Sequence, residues 1–444
     1  RLALVVKMRA SMKSAAGIAV VLVALFVAEA DAFGRREAEA APATPPVTGF
    51  NALLAKAGVP EESRTPVAVG ASVVLVILVL ALMQAGGGGA GGGGVALLKS
   101  FLGQESKRGI NVNEWIGDYN KLHHNAAYDE SDKAGVEERN SMYAKMVNAY
   151  YELATLFYEW GWGQSFHFAE KWPKESFVES IRRHEYYLAS QLELKPGMKV
   201  LDVGCGIGGP YRNIAQFTGC DITGVTLNEY QVKRANEINR SVGLGDQVRS
   251  VQCDFMNMAP FKDNSFDAVY AIEATCHAPV RQGVYSEIKR VLKPGAVFAC
   301  YEWCLTDKYD TNNPAHRKIK KQIEEGDGLP DMAKPQEVVA ALKDVGFEVL
   351  HTRDAALDNN PGGEPWYTPL MPSWKVWTQR FQFTGVGMVI TRNMLWVMEG
   401  LWLAPKGTYK VQQMLQQGGI GCSQGGVTGT FTPMFLCVCR KPLK

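Results

Sequence analysis

The sequence predicts an α/β fold built on an open, doubly wound, Rossmann-like sheet, and three observations carry that prediction. A short apolar run, 199–203, leads into the glycine-rich turn Gly204-Cys205-Gly206-Ile207-Gly208-Gly209-Pro210. Further short apolar runs at 222–227, 248–253, 266–272 and 296–301 alternate with segments of helical pattern, as βαβ units do. A helix candidate at 336–345 then leads into another run at 347–352, and a late strand candidate follows at 431–439.

The elements before the sheet divide into a leader, a linker and a helical segment. Met8 or Met12 is the expected start; Arg9 and Lys13 precede an apolar stretch at 15–28, and Ala30-Asp31-Ala32 offers small residues before Phe33. Residues 1–32 therefore read as a secretory signal peptide or signal anchor, with Phe33 after the small residues leaving plastid routing as the alternative. The linker 33–110 contains an uncharged apolar run at 67–83, close to the ~20 residues that span a bilayer. It is expected to be a transmembrane helix. Cleaved or not, a leader entering the endoplasmic reticulum leaves the catalytic part on the cytosolic face of that membrane. Glycines from 86 to 94, interrupted by Ala90, form a flexible tether after the span.

Residues 111–180 are expected to form a helical lid and substrate segment, because 111–154 is polar with interspersed tyrosines and tryptophans. A helix is predicted over 175–192, ended by Lys195-Pro196-Gly197, and Leu292-Lys293-Pro294-Gly295 is predicted as a turn. The core is placed at 181–354 and a C-terminal region at 355–444, whose Trp366, Tyr367, Trp374, Trp377, Trp396 and Trp402 suit either a lipid-facing wall or an aromatic core.

Composition narrows the function. Lys plus Arg number 47 against 45 Asp plus Glu, so charge provides no footprint for nucleic acid. Nine cysteines, all beyond residue 204 and without CxxC spacing, argue against a zinc site and for a reducing compartment. No metal is expected.

The glycine turn is ambiguous alone, since Gly204, Gly206 and Gly209 also satisfy the dinucleotide GxGxxG spacing. Asp202 decides between the readings. A carboxylate before the first glycine repels a pyrophosphate but pairs with the ammonium of a methionine-like amino acid, which favours S-adenosylmethionine over NAD. Gly204, Gly206 and Gly208 let backbone approach such a ligand.

About forty residues upstream, 158–168 reads Tyr-Glu-Trp-Gly-Trp-Gly-Gln-Ser-Phe-His-Phe. Aromatic faces attract cations by roughly 2 kcal/mol or more in dry surroundings, so this segment suits a greasy substrate that becomes cationic.

Together these motifs resemble the sterol 24-C-methyltransferase family over about 150–441. The resemblance rests on YEWGWGQSFHF, LDVGCGIGGP, Ile272-Glu273-Ala274-Thr275-Cys276-His277-Ala278-Pro279, Tyr301-Glu302-Trp303, Glu364-Pro365-Trp366-Tyr367 and Phe431-Thr432-Pro433-Met434. It implies a class I methyltransferase sheet ending in an antiparallel hairpin, so that 431–439 pairs beside 347–352 and 355–430 is an insertion. It also implies methyl transfer to the side-chain alkene of a sterol, a sterol and a bilayer as partners, and a homo-oligomer as one option.

Carried onto this sequence, the cofactor is expected on Asp202, Gly204, Gly206 and Gly208, on Thr226, Asn228 and Gln231 at the end of the second strand, on Asp254 and at Glu273. The cation-facing rings are expected to be Tyr158, Trp160, Trp162, Phe166 and Phe168. A proton must then leave the alkylated side chain, and Glu159, His167 and His277 are the candidate acceptors, left open at this point. Two other readings compete: a methyltransferase for tocopherol-type phenols or other lipids, and a catalytically silent protein that binds sterol or cofactor. The sequence does not distinguish a cycloartenol-like from a lanosterol-like or already methylated acceptor.

Overall fold

The computed structural model describes residues 140–358, 360–371 and 407–443, with isolated positions at 137, 388, 391–393, 395, 396 and 399. The leader, the apolar run 67–83, the glycine tether, the helices expected before 137, and Trp374, Trp377 and Trp402 lie outside the described residues. Among the described residues no helix is long and apolar enough to cross a membrane. The chain divides into two compact units, Arg1–Ile110 with Met371–Tyr409, and Asn111–Leu370 with Lys410–Lys444. The second unit carries the sheet.

Seven strands, β1 (Lys199–Val203), β2 (Asp221–Thr226), β3 (Val248–Gln252), β4 (Phe266–Ile272), β5 (Leu292–Leu305), β6 (Glu348–Asp354) and β7 (Phe431–Arg440), form one sheet. Their order is β3-β2-β1-β4-β5-β7-β6. The first five are mutually parallel, and β7 lies antiparallel between β5 and β6. The late strand therefore sits where the resemblance implied. The chain between β6 and β7 is an insertion, as expected.

Burial explains why the central strands are almost continuously apolar: Val200, Leu201, Val203, Ala268, Val269 and Ala271 are all fully buried, because helices cover both faces of a parallel sheet. One face packs Leu188 of α2 (Phe177–Gln191), Ile214 of α3 (Gly209–Thr218) and Ala235 of α4 (Glu229–Ser241). The other packs Val284 and Ile288 of α5 (Arg281–Val291), and Val338 and Leu342 of the helix Pro335–Asp344.

Local chemistry sets the helix ends. Ser176 and Glu179 form a capping box at the start of α2, and Asn228 caps α4 through the Gln231 amide. The α3 helix starts after Gly208 and stops at Gly219, both left-handed.

One expectation needs correction and two are made more definite. The helix α1 (Tyr143–Gly161) runs through the YEWG motif, inside the helical segment expected over 111–180; its tyrosines at 143, 150, 151 and 158 fall near the 3.6-residue repeat. The predicted turn at 292–295 lies inside β5, where Leu292 pairs with Phe266 and a bulge follows, so the Pro-Gly pair bends the strand instead of ending it. Finally, of the two readings left open for Trp366, the core is the one observed: it is 3% exposed and packs on Phe168 and Phe431.

Two helices were not foreseen, α6 (Pro314–Asp327) and α8 (Thr408–Thr428); the helix Pro335–Asp344 is α7. The glycines of α8 are a packing device. A Cβ on Gly326 of α6 would lie 2.2 Å from the Gly418 backbone of α8, and one on Gly421 would lie 2.9 Å from the Ile323 backbone nitrogen. Gly419 faces away, with its nearest neighbour 3.8 Å distant. Gly326→Ala should therefore lower unfolding free energy by roughly 1–3 kcal/mol through overpacking, while Gly419→Ala should raise it by up to about 1 kcal/mol through helix propensity. Urea denaturation of the two variants checks both signs.

Candidate active site

The strands leave a crevice at their carboxyl ends, the usual ligand position of such sheets. Asp202, Gly204, Cys205 and Gly206 line it from β1 and the turn; Thr226, Leu227, Asn228 and Gln231 from β2 and α4; Asp254 and Phe255 after β3. Ile272, Glu273, Ala274 and His277 follow β4, Phe166 and His167 come from the aromatic motif, and Tyr143, Val147, Asn148 and Tyr151 reach down from α1. The turn is tight where it must be. A Cβ on Gly204, whose φ is +83°, would lie 2.3 Å from the Ala274 Cβ, so β1 and β4 approach there only because the residue is glycine.

Asp202 is buried and accepts from the Tyr270 hydroxyl at 3.0 Å. Burial pushes its carboxyl up to about 7, against which the Tyr270 bond acts. A cationic partner in the crevice would restore its charge.

The polar groups expected around a ribose and adenine are present, and each also fastens α1. Asn228 Nδ2 donates to Glu152 Oε2 at 2.8 Å and to Asn148 Oδ1 at 3.0 Å. Thr226 donates to Gln231 Oε1 at 2.6 Å, and Gln231 Nε2 donates to Thr155 at 3.1 Å. Asp254 accepts from the Tyr143 hydroxyl and, at 2.8 Å, from the Met256 amide. The helix is thus hydrogen-bonded over the crevice by the groups that line it.

Glu273 has two roles in one side chain. It lines the crevice, and its carboxylate accepts from the Phe168 amide at 2.8 Å and from the Trp303 indole at 2.7 Å. Burial pushes it up to about 8.

The two histidines are in opposite states. His167 faces acceptors with both nitrogens, the Phe168 carbonyl at 2.9 Å and buried Glu185 at 3.1 Å; hydrogen bonding and charge from Glu185 overcome desolvation and raise its pKa. His277 approaches the Gly328 carbonyl with Nδ1 at 3.1 Å and the Tyr151 hydroxyl with Nε2 at 2.9 Å. A carbonyl only accepts, so Nδ1 carries the proton and Nε2 accepts from Tyr151. Burial pushes this ring down to about 4.

Several expected site residues stand elsewhere. Glu159 is held by Arg234, with Nη2 at 2.5 Å and Nε at 3.0 and 3.1 Å from its oxygens, and does not line the crevice. Of the five expected rings, Phe166 lines it. Tyr158 stands behind Phe166 at 5.2 Å and donates to Asp327 at 3.2 Å. Trp162 and Phe168 pack on each other and, through Phe168, on Trp303 and Trp366, while Trp160 is half-buried outside the crevice. Gly208 is excluded too; a Cβ there would lie 2.1 Å from the Tyr211 ring, so packing demands that glycine.

Other rings line it instead: Tyr143 and Tyr151, from the helical segment expected to cover the site, and Phe255, which the sequence reading did not single out. Tyr143, Val147 and Tyr151 recur every four residues and so share one face of a helix, a signal that the sequence reading did not use. Asp327, buried and pushed up to about 7, offered no local signal.

The sterol methyltransferase C-terminal family matches residues 378–443 and the methyltransferase domain family matches residues 201–300. Cycloartenol-C-24-methyltransferase 1 of Oryza sativa subsp. japonica is 52% identical over 324 residues, 72% of this chain and 93% of the relative. The chain belongs to the sterol 24-C-methyltransferase family. A sterol 24-C-methyltransferase of Saccharomyces cerevisiae is 49% identical over 319 residues, covering 70% of this chain and 82% of its own. Among solved structures, a mycolic acid cyclopropane synthase complexed with SAH and CTAB aligns over 67% of this chain and 98% of its own, with 16% identity and a TM-score of 0.50; it shares the fold. For a member of the sterol 24-C-methyltransferase family the cofactor is S-adenosylmethionine, and the donor set fits it, with a carboxylate at the glycine turn, amides at the end of β2 and a carboxylate after β3.

Because Asp202 must be ionised to hold an ammonium group, and sits near 7 without one, the dissociation constant for S-adenosylhomocysteine should weaken as pH falls from 7 toward 5.5, by up to tenfold per unit. Asp202→Asn should bind at least tenfold more weakly at pH 7.5 and lose most of that slope. Calorimetry across this range checks it; a flat wild-type profile would count against the assignment.

Proposed function

We propose that this chain transfers a methyl group from S-adenosylmethionine to the C24 side-chain alkene of a sterol; the names of its relatives state C24 methylation of cycloartenol or of a sterol for them. The observation that carries the reading is the crevice itself, in which the Asp202 and glycine turn meets a wall of Phe166, Tyr151, Ile272 and Ala274.

The cofactor supplies an electrophilic methyl group. Asp202 holds the charged amino-acid end, and Asn228, Gln231 and Asp254 are placed for the nucleoside end. The alkene needs no base to attack, since its own electron pair forms the new bond. A tertiary cation results, and the site must stabilise it, keep water away and accept one proton. The faces of Phe166, Tyr151 and Tyr143 attract positive charge. Burial of the surrounding strand ends excludes solvent.

A sterol acceptor supports the view that the apolar run 67–83 anchors the enzyme, with the catalytic unit on the cytosolic face of the endoplasmic reticulum and a plastid membrane as the alternative. Self-association belongs to the same proposal. The phenol reading is disfavoured by the names of the relatives, which state C24 methylation of cycloartenol or of a sterol. Whether the acceptor is cycloartenol-like is open, because the plant and yeast relatives are almost equally identical to this chain.

The test is transfer of labelled methyl by the full chain in detergent, offered desmosterol-, zymosterol- and cycloartenol-type sterols and γ-tocopherol separately. Label in a 24-alkylated sterol is the expected result and names the acceptor. Label confined to tocopherol, or to none of them with cofactor bound, would overturn the proposal.

A further inference from the structure

Besides Asp202 and Asp254, which the reading above assigns to the cofactor, four side chains near the crevice could remove the proton from the alkylated cation, and geometry counts against three of them. Glu159 is gripped by Arg234 and lies outside the crevice. His167 donates from both ring nitrogens, to the Phe168 carbonyl and to Glu185, so it has no lone pair to offer. Glu273 holds the Phe168 amide and the Trp303 indole, one on each oxygen, so a proton taken there would compete with the two bonds that place the motif. What remains is His277, and its accepting nitrogen is already occupied. Tyr151 lines the crevice beside it and holds that nitrogen, hydroxyl to Nε2 at 2.9 Å with the rings edge to face at 5.5 Å.

Resting on the methyl-transfer reading above, we propose that Tyr151 is the group that takes the proton from the substrate cation, and that His277 receives the phenol proton in the same step. The balance is simple. The alkene's electron pair makes the bond to the incoming methyl, leaving a cation on the side chain, which a hydride shift can move to the neighbouring carbon. A C–H bond beside the cationic carbon then breaks, its electron pair forms the new double bond, and the proton moves to a lone pair of Tyr151 Oη. The Oη–H bond breaks toward His277 Nε2. Tyrosine ends neutral and histidine ends as imidazolium, its Nδ1–H still on the Gly328 carbonyl.

Three features suit the pair to this task. The Gly328 carbonyl fixes the tautomer, so Nε2 accepts and nothing else on the ring competes. The resting ring is neutral at physiological pH because burial pushes it down to about 4, and a C–H beside a carbocation is acidic enough that such a weak base suffices. The phenol presents a neutral aromatic face to the cation before it acts, so no anion stands ready to divert the methyl group. The other titratable groups around the pair are Tyr150 and Tyr158 from α1, Cys276 and Glu273 after β4, and Asp327 at the end of α6. Asp327 acts on Tyr158, from which it accepts at 3.2 Å, and is thereby a positioning group.

The test uses the full chain, Tyr151→Phe and His277→Gln, with labelled methyl donor and the best sterol acceptor, and reads product distribution as well as rate. Tyr151→Phe should bind S-adenosylhomocysteine within twofold of wild type and still form the new carbon–carbon bond. The share of label in alternative alkene isomers and in the alcohol from water capture should rise at least fivefold, because the cation has lost its acceptor. His277→Gln should shift products in the same direction. A variant that binds cofactor normally and keeps the wild-type product ratio would overturn the proposal. So would loss of methyl transfer itself with both ligands bound, since a proton acceptor acts after the bond has formed. If the wild type labels no sterol at all, the proposed function fails and not this step.

Discussion

The carboxylate of Glu273 ties the aromatic motif to the sheet, and the site depends on that connection. It follows the last residue of β4, with φ at +53°, a left-handed conformation that costs a non-glycine residue of order 1 kcal/mol or more. The backbone turn so formed is fixed by the Glu273 amide on the Tyr301 carbonyl at 2.9 Å. From this position one oxygen takes the Phe168 amide and the other the Trp303 indole. A buried acceptor with two good donors is stable only as a set. Without the carboxylate both donors would be stranded in an apolar core, and the Phe168 end of the motif would lose its tie to β4, while Gln164, Ser165 and His167 keep theirs to Gly209, Arg212 and Glu185.

The second constraint is the roof. Helix α1 lies over the β2 and β3 side of the crevice through Asn228, Gln231 and Asp254 and over the β4 side through His277. Its contributions to the crevice, Tyr143 and Tyr151, are therefore positioned by the groups that line the floor. Floor and roof form one hydrogen-bonded unit, which explains why polar residues at the strand ends have more partners than a ligand alone would require. The contrast between His167, whose pKa Glu185 raises, and His277, whose pKa burial lowers, follows from this enclosure: the same low polarity strengthens an ion pair and penalises a lone cation.

Much of this was legible in the sequence because it is local. Strand positions followed from apolar runs bounded by Pro-Gly and Gly turns, and Asp202 with Gly204 and Gly206 followed from a turn whose chemistry is contiguous. The placement of β7 followed only from the family resemblance, since a late strand does not state its neighbours. What the sequence hid was long-range. Glu159 sits in a motif that looks catalytic, yet Arg234, 75 residues later, claims it. The rings of Trp162 and Phe168 looked like a cation cage, yet their partners Trp303 and Trp366 arrive from β5 and the insertion. Tyr151 looked like one tyrosine among many until the helix register and His277 gave it a partner.

The most direct test of this account is hydrogen exchange measured by mass spectrometry on wild type and Glu273→Ala. If Glu273 fixes the Phe168 end of the motif, the Phe168 amide should exchange at least tenfold faster in the variant, while the amides of β1 and β4 keep their protection. Unchanged exchange at Phe168 would contradict the account, because it would mean that this end of the aromatic segment holds its place without the carboxylate.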